Sequence, residues 1–456
     1  MTFPVSLDFD LLEQILRTTV SVSLIEELCR RRRVKVRRGI YSLAVVVWLM
    51  IYQRLNSKGT LSSAVQFLAR EACHWPQRSQ GSKGSKRKGE CRISTGTGGY
   101  CRARLKMPKL IATDVCDHIC NQLQAIMREQ LPDVGRPMFA IDGATLRLQH
   151  RPELVKAFPP GSNQHGENHW PTMLLVAFHD VHTGLAMRPS WGPMYGKQAV
   201  GEQSLAREAL QRLPSDAIVR ADCDFGIFAF AHAVQQTQRS MIFRLTAARA
   251  QKVLGDVGLR PGRRHKVRWE ASRWDLSVAD LPEGASVEGW VISYRHPARE
   301  GEMLFFFTTL DVKPKRILAL YKLRWNIETD LRSLKRTVDL HQVTSKSQSM
   351  VEKKILMAVC AYNVVRAVQY LSASTAGLTP RQLSFSVAQD AVMAAWPYLQ
   401  RASTQAEFHQ EVRRLLLVVA QSKLPERSHR RSYPREIWGR GGHFPFRRSP
   451  GKEVRP

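Results

Sequence analysis

The sequence lacks an apolar stretch long enough to cross a membrane. Its longest apolar run, YSLAVVVWLMIY at residues 41–52, has 12 residues, whereas a membrane-spanning helix needs about 20. The opening segment, MTFPVSLDFDLLEQ, is acidic and has no positively charged start, which argues against a secretory signal peptide. We therefore expect a cytoplasmic protein in which residues 41–52 form a buried helix.

Cysteine pairs with the spacing of metal ligands are also lacking. The eight cysteines include no CxxC pair, and the one close cluster is Cys116, His118 and Cys120, with the pattern CxHxC. Helical spacing puts both thiols on one face, but no second pair completes a zinc site. We expect ordinary buried thiols at these positions.

Acidic residues are scarce relative to basic ones. The 456 residues include 69 Lys plus Arg against 39 Asp plus Glu, a formal net charge of +30. Such an excess predicts a polyanionic partner, because each Lys or Arg near a phosphate releases a condensed counterion. Nucleic acid is favoured over a membrane surface, and over a merely basic soluble protein. We therefore expect the protein to be associated with the nucleoid.

Basic residues are concentrated in two stretches of the N-terminal third. RRRRVKVRR occupies residues 30–38, and the Gly/Ser/Lys-rich stretch SQGSKGSKRKGE occupies residues 79–90. We expect phosphate contacts from the first stretch. For the second, phosphate contact and a solvated mobile loop are equally compatible with the composition.

Two predicted strands end in aspartate. MFAID at residues 138–142 ends in Asp142, and the strand within AIVRADCDFG ends at Asp222. Between them lie a hairpin signal at residues 182–184 and a helical pattern, and LFFFTTL at residues 304–310 reads as a later strand of the same sheet. The order strand, hairpin, helix, strand predicts a mixed α/β sheet with a buried centre. Carboxylates at strand ends project into the crevice where such sheets place their sites.

A polar stripe follows the helix predicted at residues 314–338. At about 100° per residue, Tyr321, Arg324, Glu328 and Lys335 fall within one sector of about 60°. The neighbouring sector is apolar and holds Leu320, Leu323, Ile327, Leu331 and Leu334. Taken alone, the stripe is more typical of ordinary ion pairs at i, i+4 spacing, since Arg324 and Glu328 form a common helix pair.

Three acids can therefore converge: Asp142, Asp222 and Glu328. Carboxylates that lie close together repel one another, so their pKa values rise unless cations sit between them. Mg²⁺ accepts hard oxygen ligands and phosphate oxygens together. Two such ions, about 3.5–4 Å apart, stabilise the attacking and leaving oxygens of a displacement at phosphorus. The sequence therefore predicts two-metal phosphoryl transfer.

These residues resemble a known family. The pattern Y-x2-R-x3-E-x6-K formed by Tyr321, Arg324, Glu328 and Lys335 is similar to the YREK signature of the IS4-family DD-E transposases, which are Tn5- and Tn10-like. IDGATL resembles the first-aspartate motif of that family, ADCDFGIF its second, and the segment leading into YKLRWNIETDLRSLK its third. The resemblance covers about residues 137–372.

The resemblance implies a ribonuclease-H-like mixed-sheet catalytic core with a β-rich insertion, an N-terminal helical DNA-binding region and C-terminal helices. On this basis the domains are a helical DNA-binding region at 1–136, core parts at 137–246 and 304–372, the insertion at 247–303, C-terminal helices at 373–422 and a basic tail at 423–456.

The resemblance also implies a transposase that binds the terminal inverted repeats of an insertion sequence, cleaves at its ends and joins the freed 3′-hydroxyl to target DNA. Asp142, Asp222 and Glu328 then bind two Mg²⁺ ions, for which Mn²⁺ substitutes. Tyr321, Arg324 and Lys335 hold the DNA phosphate, and Trp325 stacks on DNA or packs. The partners implied are double-stranded DNA and a second copy of the chain, in a synaptic homodimer.

Two features leave alternatives open. The second motif usually has Arg after its aspartate, but Cys223 and then Asp224 follow here, so Asp224 rivals Asp222 as a ligand. We favour Asp222 because it aligns with Phe225 and Gly226. Members of the family also use an aromatic residue of the insertion to receive a flipped base, and the candidates are Trp269, Trp274 and Trp290.

Two other functions compete with an active transposase. One is a catalytically inactive DNA-binding relative that acts as a repressor, and the other is a nuclease built on the same core. The complete set of three acids argues against the first. The second predicts DNA cleavage without strand joining.

Overall fold

The computed structural model describes most of the chain between Ser21 and Pro425. The described residues are 21–35, 39–56, 59–71, 94–129, 135–164, 166–255, 257–258, 260–296, 302–322, 325–337 and 343–425. The basic stretch at 79–90 and most of the expected tail at 423–456 lie outside them. Contacts group the described residues through Lys423 into one unit, to which Leu424 and Pro425 do not belong.

One mixed sheet of eight strands organises the described residues, in the order β5-β4-β1-β6-β7-β10-β9-β8. The strands are β1 (Met138–Arg147), β4 (Thr172–Asp180), β5 (Ser190–Pro193), β6 (Ile218–Ala221), β7 (Ser240–Leu245), β8 (Arg264–Glu270), β9 (Ser286–Arg295) and β10 (Met303–Thr308). The short strands β2 (Ser162–Asn163) and β3 (Gly166–Glu167) form a separate ribbon.

The strand directions identify the core. β6 pairs in parallel with both β1 and β7, while β4 pairs antiparallel with β1 and β5. The succession β5-β4-β1-β6-β7, three antiparallel strands followed by two strands parallel to β1, is the arrangement of a ribonuclease-H-like core. The predicted fold class is therefore confirmed.

Helices cover both faces of the sheet and form a helical region before it. They are α1 (Val22–Arg31), α2 (Leu43–Leu55), α3 (Leu61–Glu71), α4 (Gly98–Lys106), α5 (Lys109–Glu129), α6 (Pro152–Ala157), α7 (Glu202–Leu210), α8 (Phe228–Gln236), α9 (Ala247–Leu254), α10 (Arg273–Val278), α11 (Pro314–Lys322), α12 (Trp325–Arg332), α13 (Gln348–Thr375), α14 (Phe385–Arg401) and α15 (Gln405–Ala420).

Alternating residues of β1 point into two different apolar cores. Ala140 and Ala144 belong to the core shared with α13, whereas Phe139 and Ile141 belong to the core shared with α7 and α8. This is the period-two pattern of a strand covered on both faces. Asp142 has the same parity as Ala140, so its side chain lies on the α13 side of the sheet.

The segment expected as a β-rich insertion extends the central sheet. β8 pairs antiparallel with β9, and β9 pairs antiparallel with β10. β10, formed by part of the predicted strand LFFFTTL, lies between β7 and β9. The insertion strands are therefore hydrogen-bonded to the core through β10. The domain boundaries given above stay a prediction.

Two apolar helices lie in the interior. α2 begins two residues into the apolar run at 41–52 and is buried along most of its length, as predicted. Although polar residues interrupt its apolar runs, α13 has the length and composition of a membrane-spanning helix, and 94% of its most apolar segment is buried inside the protein. It packs against α2, α5 and α15, so it serves as the central helix of this apolar core.

Three differences from the sequence-based expectation concern elements rather than the overall fold. The strand β7 and the preceding helix α8 were not anticipated. The helix predicted at 314–338 consists of α11, α12 and a π-helical turn at Ser333–Thr337.

Cys116 and Cys120 are buried free thiols, as expected, with sulfur atoms 4.0 Å apart.

Polar side chains of α13 attach this helix to the turn that follows β4. Asn363, which is fully buried, donates from Nδ2 to the carbonyl of Ala186 at 2.8 Å and accepts from its backbone N–H at 2.8 Å. Tyr362 donates to the carbonyl of Gly184 at 2.7 Å. Since a buried peptide group without a partner is costly, these bonds fix where the helix lies on the sheet.

Replacing Asn363 by alanine is expected to lower the free energy of unfolding by about 2–4 kcal/mol, because both polar groups of Ala186 lose their partner in the interior. Thermal or urea unfolding measures this loss. Asn121→Ala, the same change on the exposed side of α5, is the control and is expected to stay within about 0.5 kcal/mol of wild type. Equal effects of the two changes contradict this account.

Candidate active site

The parallel pairing of β1 and β6 places two aspartates side by side. Ala140 is paired with Arg220, so residues two positions further along each strand, Asp142 and Asp222, are neighbours on the same face. β6 ends at Ala221, so Asp222 lies just beyond the end of its strand. β1 continues to Arg147, so the prediction that Asp142 ends its strand is wrong, because the polar end of the apolar run does not interrupt the pairing of β1 with β4. Two carboxylates that are 80 residues apart in sequence thus meet at one point of the sheet.

A cavity of about 230 Å³ next to the two aspartates also includes the third predicted acid. It is lined by Ala140, Ile141, Asp142, Arg220, Ala221, Asp222, Ile327 and Glu328. Glu328 reaches it from α12, which packs on the β1 side of the sheet. Within the described residues, no three Asp, Glu, His or Cys side chains are already gathered closely enough to hold one ion.

The structure distinguishes Asp222 from Asp224. Asp222 lines the cavity, and its Oδ1 accepts from the backbone N–H groups of Asp224 at 3.1 Å and Phe225 at 3.4 Å. Asp224 is exposed and lies outside the cavity lining. Its backbone carbonyl accepts from the side-chain amide of Gln203 at 2.9 Å. The geometry therefore favours Asp222 as the acid that faces Asp142.

The turn after Asp222 is held by features that the sequence only partly indicated. A Cβ atom on Gly226 would lie 2.3 Å from the backbone oxygen of Arg244, so only glycine fits there without a backbone shift. Arg249 donates from Nη1 to the carbonyls of Cys223 at 2.9 Å and Gly226 at 2.7 Å. An arginine from α9 thus fixes this turn, and it lies too far along the chain to have been linked to the motif.

Charge and burial act on Asp142. Burial, the largest cause, and the charges of Asp222 and Glu202 together raise the pKa of Asp142 to about 6, against the opposing effects of the Gly143 backbone N–H and the charge of Lys335. The carboxylate accepts from that N–H at 2.8 Å. An aspartate whose neighbours include other acids is thus poorly compensated by the described protein groups, which is the electrostatic condition that a bound cation relieves.

Glu202, at the start of α7, is a further acid at the site that sequence reasoning missed. A Cβ atom on Gly143 would lie 2.2 Å from Oε1 of Glu202, so this carboxylate occupies the space beside the glycine. Burial raises the pKa of Glu202, and the charges of Asp224 and Asp222 add to the shift. A Glu in the first turn of a helix is common, so the one hint of this contact in the sequence is the glycine after Asp142.

The residues of the YREK pattern have different surroundings. Tyr321 is buried, with its ring 4.5 Å from that of Phe306. Lys335 lies in the π-helical turn, where burial lowers its pKa and the charge of Asp142 opposes the shift. Arg324 lies outside the described residues, as does the side chain of Trp325. The structure therefore brings Lys335 near the acids. Binding of DNA by Tyr321, Arg324, Trp325 and Lys335 stays a prediction.

Arg220 is a buried cation in the cavity wall that sequence reasoning also missed. It is 1% exposed, its guanidinium lies 5.5 Å from the ring centre of Tyr321, and it donates to the carbonyl of Leu320 at 3.3 Å. A cation over an aromatic face is attracted by the ring electrons. Arg220 therefore links the end of β6 to the end of α11.

The three candidate tryptophans of the insertion differ in exposure. Trp269 is 6% exposed and packs edge-on against Phe228 and Phe307. Trp290 is partly buried, and the guanidinium of Arg264 lies 4.1 Å from its ring centre. Trp274, on α10, is 64% exposed. Among the three, Trp274 presents the largest ring surface to solvent.

The basic stretch at 30–38 is described only in part. Arg32 donates from Nε and Nη2 to the two carboxylate oxygens of Asp114, both at 2.7 Å. Arg31 pairs with Glu27 one helical turn earlier at 2.5 Å. These two arginines are thus tied to acids of the same chain, and phosphate contact by the stretch stays a prediction.

Comparisons with known proteins identify the family to which the chain belongs. Residues 134–364 match the family model described as a transposase DDE domain. Transposase InsG for insertion sequence element IS4, from Escherichia coli (strain K12), is 24% identical over 327 residues, which cover 68% of this chain and 70% of that protein.

A solved structure is also similar: the cryo-EM structure of a piggyBac transposase synaptic complex with hairpin DNA. Its identity is 11% and its TM-score 0.38, over 89% of this chain and 74% of that chain. The family model covers the strands that carry Asp142 and Asp222 and the helix that carries Glu328. On that match the chain belongs to the DDE transposase family, and its similarity to the transposase of IS4 supports the predicted IS4 group.

Proposed function

We propose that this transposase binds the terminal inverted repeats of an insertion sequence, cleaves the DNA at the element ends and joins the freed 3′-hydroxyl to target DNA. The observation that carries the proposal is the cavity lined jointly by Asp142, Asp222 and Glu328. These acids come from two strands and a helix that lie far apart in the sequence. The surplus of basic residues in the chain suits a polyanionic substrate.

The donor set fits divalent cations. Asp142, Asp222 and Glu328 offer hard carboxylate oxygens, which Mg²⁺ and Mn²⁺ accept. The raised pKa of Asp142 is a sign of negative charge without sufficient compensation. When bound, two such ions supply electrostatic stabilisation of the attacking and leaving oxygens in a displacement at phosphorus.

The other residues of the site act on the DNA. Lys335 provides a compact positive charge beside Asp142, suited to a phosphate oxygen that approaches the acids. Arg324 and Tyr321 are proposed to hold the neighbouring phosphate, and Trp325 to stack on or pack near it. Arg220 and Arg249 hold the surrounding backbone in place, so the two aspartates do not have to be reorganised when DNA arrives.

The wider assembly follows from the substrate. Two element ends must be held together for insertion, so we propose a homodimer in the synaptic complex. The helical region at residues 1–136 is proposed to read the inverted repeats through the major groove. Action on chromosomal DNA places the protein in the cytoplasm at the nucleoid. An inactive repressor is disfavoured because all three acids are present, and strand joining separates a transposase from a nuclease.

Replacement of any one acid is expected to abolish cleavage. Asp142→Asn, Asp222→Asn and Glu328→Gln each remove a proposed ligand, and the loss should be at least about a thousandfold because such ligands act as a unit. The substrate is a supercoiled plasmid that carries the coding region with its flanking DNA, and gel analysis in Mg²⁺ measures nicking and joined products.

Asp224→Asn serves as the matched control, since this carboxylate is exposed and lies outside the cavity lining. It is expected to cleave at nearly the wild-type rate. If it is as inactive as Asp222→Asn, the assignment of the second acid is wrong. If Asp142→Asn nicks the plasmid like wild type, the chemistry lies elsewhere in the chain.

In the absence of divalent metal, Asp142→Asn is expected to stabilise the protein. A folded-state pKa of about 6, above the usual aspartate value, means that ionised Asp142 destabilises the fold above that pH. The penalty disappears as the pH falls from about 6 toward 4. The gain at pH 7.5 should be about 1–3 kcal/mol by thermal unfolding in EDTA. Asp224→Asn should change stability by less than about 0.5 kcal/mol, and a destabilised Asp142→Asn refutes the electrostatic account.

Trp274 is proposed to receive a base that is flipped out during hairpin formation at the element end. Stacking on an aromatic ring is worth about 1–3 kcal/mol per base, so Trp274→Ala should lower the yield of hairpin product about tenfold. A 2-aminopurine base at the cleaved end reports the stacking by fluorescence. Trp170→Ala, at another exposed tryptophan, is the control, and equal hairpin yields from both variants exclude the role.

A further inference from the structure

A buried ion network lies behind the helix that carries Glu328. Asp330 follows Glu328 by two residues, about 200° around α12, and its carboxylate is inaccessible to solvent. Its Oδ1 accepts from Nη2 of Arg366 at 2.8 Å, and its Oδ2 accepts from Nη2 of Arg381 at 2.7 Å. Arg381 also donates from Nε to Oδ1 at 3.3 Å. The carboxylate of Asp330 thus accepts hydrogen bonds from two guanidinium groups.

Both arginines are themselves anchored. Arg366 belongs to α13 and donates to the hydroxyl of Tyr362 at 3.1 and 3.2 Å, and to Oε1 of Gln369 at 2.7 Å. The guanidinium group of Arg366 is thus held by two side chains of the same helix. Arg366 therefore ties α12 to α13, the central helix of the apolar core.

Arg381 lies in a 3₁₀ turn at Pro380–Gln382. It donates from Nη1 to the carbonyls of Val181 at 2.9 Å and His182 at 3.2 Å. These carbonyls directly follow β4, and β4 is paired along its length with β1, the strand that carries Asp142. The network therefore runs from α12, through Arg381, to the strand next to the first catalytic aspartate.

Apolar packing alone does not fix the rotation of α12. The helix is short, with eight residues, and it is followed directly by the π-helical turn. Its buried residues Ile327 and Leu331 hold it against the core, but the hydrophobic effect has no preferred direction. Charge-assisted hydrogen bonds to a guanidinium are directional. The paired arginines behind the helix therefore restrain its rotation and depth.

Stability is a poor explanation for such a network. Removing charges from water costs several kcal/mol per ion, and well-packed apolar residues of similar volume are often equally stable or better. What a buried ion pair can provide instead is one defined arrangement of the elements that it joins. Here the elements joined are the helix of Glu328 and the scaffold of Asp142.

We propose that Asp330 is a positioning residue: held by Arg366 and Arg381, it sets the rotation and depth of α12 so that Glu328 faces Asp142 and Asp222. This inference rests on the role proposed above for Glu328. It predicts that a change at Asp330 acts on metal affinity through the placement of Glu328, although Asp330 itself faces away from the cavity.

The test measures Mn²⁺ binding to the full chain without DNA, by the electron paramagnetic resonance signal of the free ion. Asp330→Asn removes the charge, Asp330→Glu keeps it but adds one methylene, and Arg381→Lys keeps the charge but loses the fork. Changes to residues that orient metal ligands typically cost 10–100-fold in affinity. We expect losses of about that size for each variant, at temperatures well below its unfolding midpoint.

Glu71→Gln is the matched control. The Glu71 side chain is 1% exposed and is likewise paired with two arginines, Arg401 at 2.8 Å and Arg70 at 3.2 Å. It joins α3 to α14 and does not line the cavity. The change therefore removes an equivalent buried charge elsewhere in the protein. We expect it to lower the unfolding midpoint and leave Mn²⁺ affinity unchanged.

Plasmid cleavage gives a second readout, the Mn²⁺ concentration for half-maximal cleavage, which does not change when part of the protein is unfolded. A misplaced Glu328 raises the Mn²⁺ concentration for half-maximal cleavage, and the rate recovers at saturating Mn²⁺. A smaller fraction of folded protein lowers the rate at every concentration and leaves the midpoint unchanged. A raised midpoint in Asp330→Glu and Arg381→Lys, with a wild-type midpoint in Glu71→Gln, supports the proposal.

Two results overturn the proposal, and they differ in what else they remove. If Glu328→Gln weakens Mn²⁺ binding but folded Asp330→Glu and Arg381→Lys bind like wild type, Asp330 does not position Glu328, and the proposed function is unaffected. If Glu328→Gln itself binds Mn²⁺ like wild type, the role of Glu328 fails and the positioning role fails with it. Arg381→Lys keeps the test valid if Asp330→Asn does not fold.

Discussion

The parallel ladder between β1 and β6 is the constraint on which the site depends. Because Ala140 lies opposite Arg220, the next residues of the same parity, Asp142 and Asp222, are forced together. Two ionised carboxylates in a half-buried position repel each other. The backbone hydrogen bonds of the sheet resist that repulsion, so the acids remain close. Burial is the main reason for the raised pKa of Asp142, and the charge of Asp222, held nearby by the ladder, adds to it.

Four buried or partly buried arginines hold in place the segments that carry the three acids. Arg220 lies in the cavity wall and contacts the end of α11, and Arg249 holds the turn after Asp222 through two carbonyls. Arg366 and Arg381 do the same for α12 from behind, through Asp330. None of these cations needs to touch the substrate to be useful. Each restrains one of the segments that carry an acid, which leaves the acids themselves available to other ligands.

The sequence predicted the parts of this site that are local. Apolar runs ending in Asp142 and Asp222 revealed two strands. The spacing of Tyr321, Glu328 and Lys335 predicted one helix with a polar face, which the structure divides into α11, α12 and a π-helical turn, with Tyr321 buried. β7 was missed because SMIFRL is short, with an arginine within its apolar positions. The π-helical turn was missed because an angle of about 100° per residue assumes an unbroken α-helix.

The remaining parts depend on partners that are distant in sequence. Asp330 meets Arg366 and Arg381 across 36 and 51 residues, and no local pattern marks that meeting. Glu202 is brought to Gly143 by the packing of α7 on the sheet, and the glycine after Asp142 was the one available hint. Sequence periodicity reveals which face of an element is buried. It does not reveal which element will lie against that face.

The attachment of β8 and β9 to the central sheet has a mechanical consequence. A module joined to a core by a flexible linker can swing, but strands hydrogen-bonded through β10 to β7 move with the core. The ring of Trp274, between β8 and β9 in the chain, is then carried at a nearly constant distance from Asp142. A nucleotide that moves between Asp142 and the ring of Trp274 therefore has to be displaced by a change in the nucleic acid, because the protein keeps these two residues at a fixed separation.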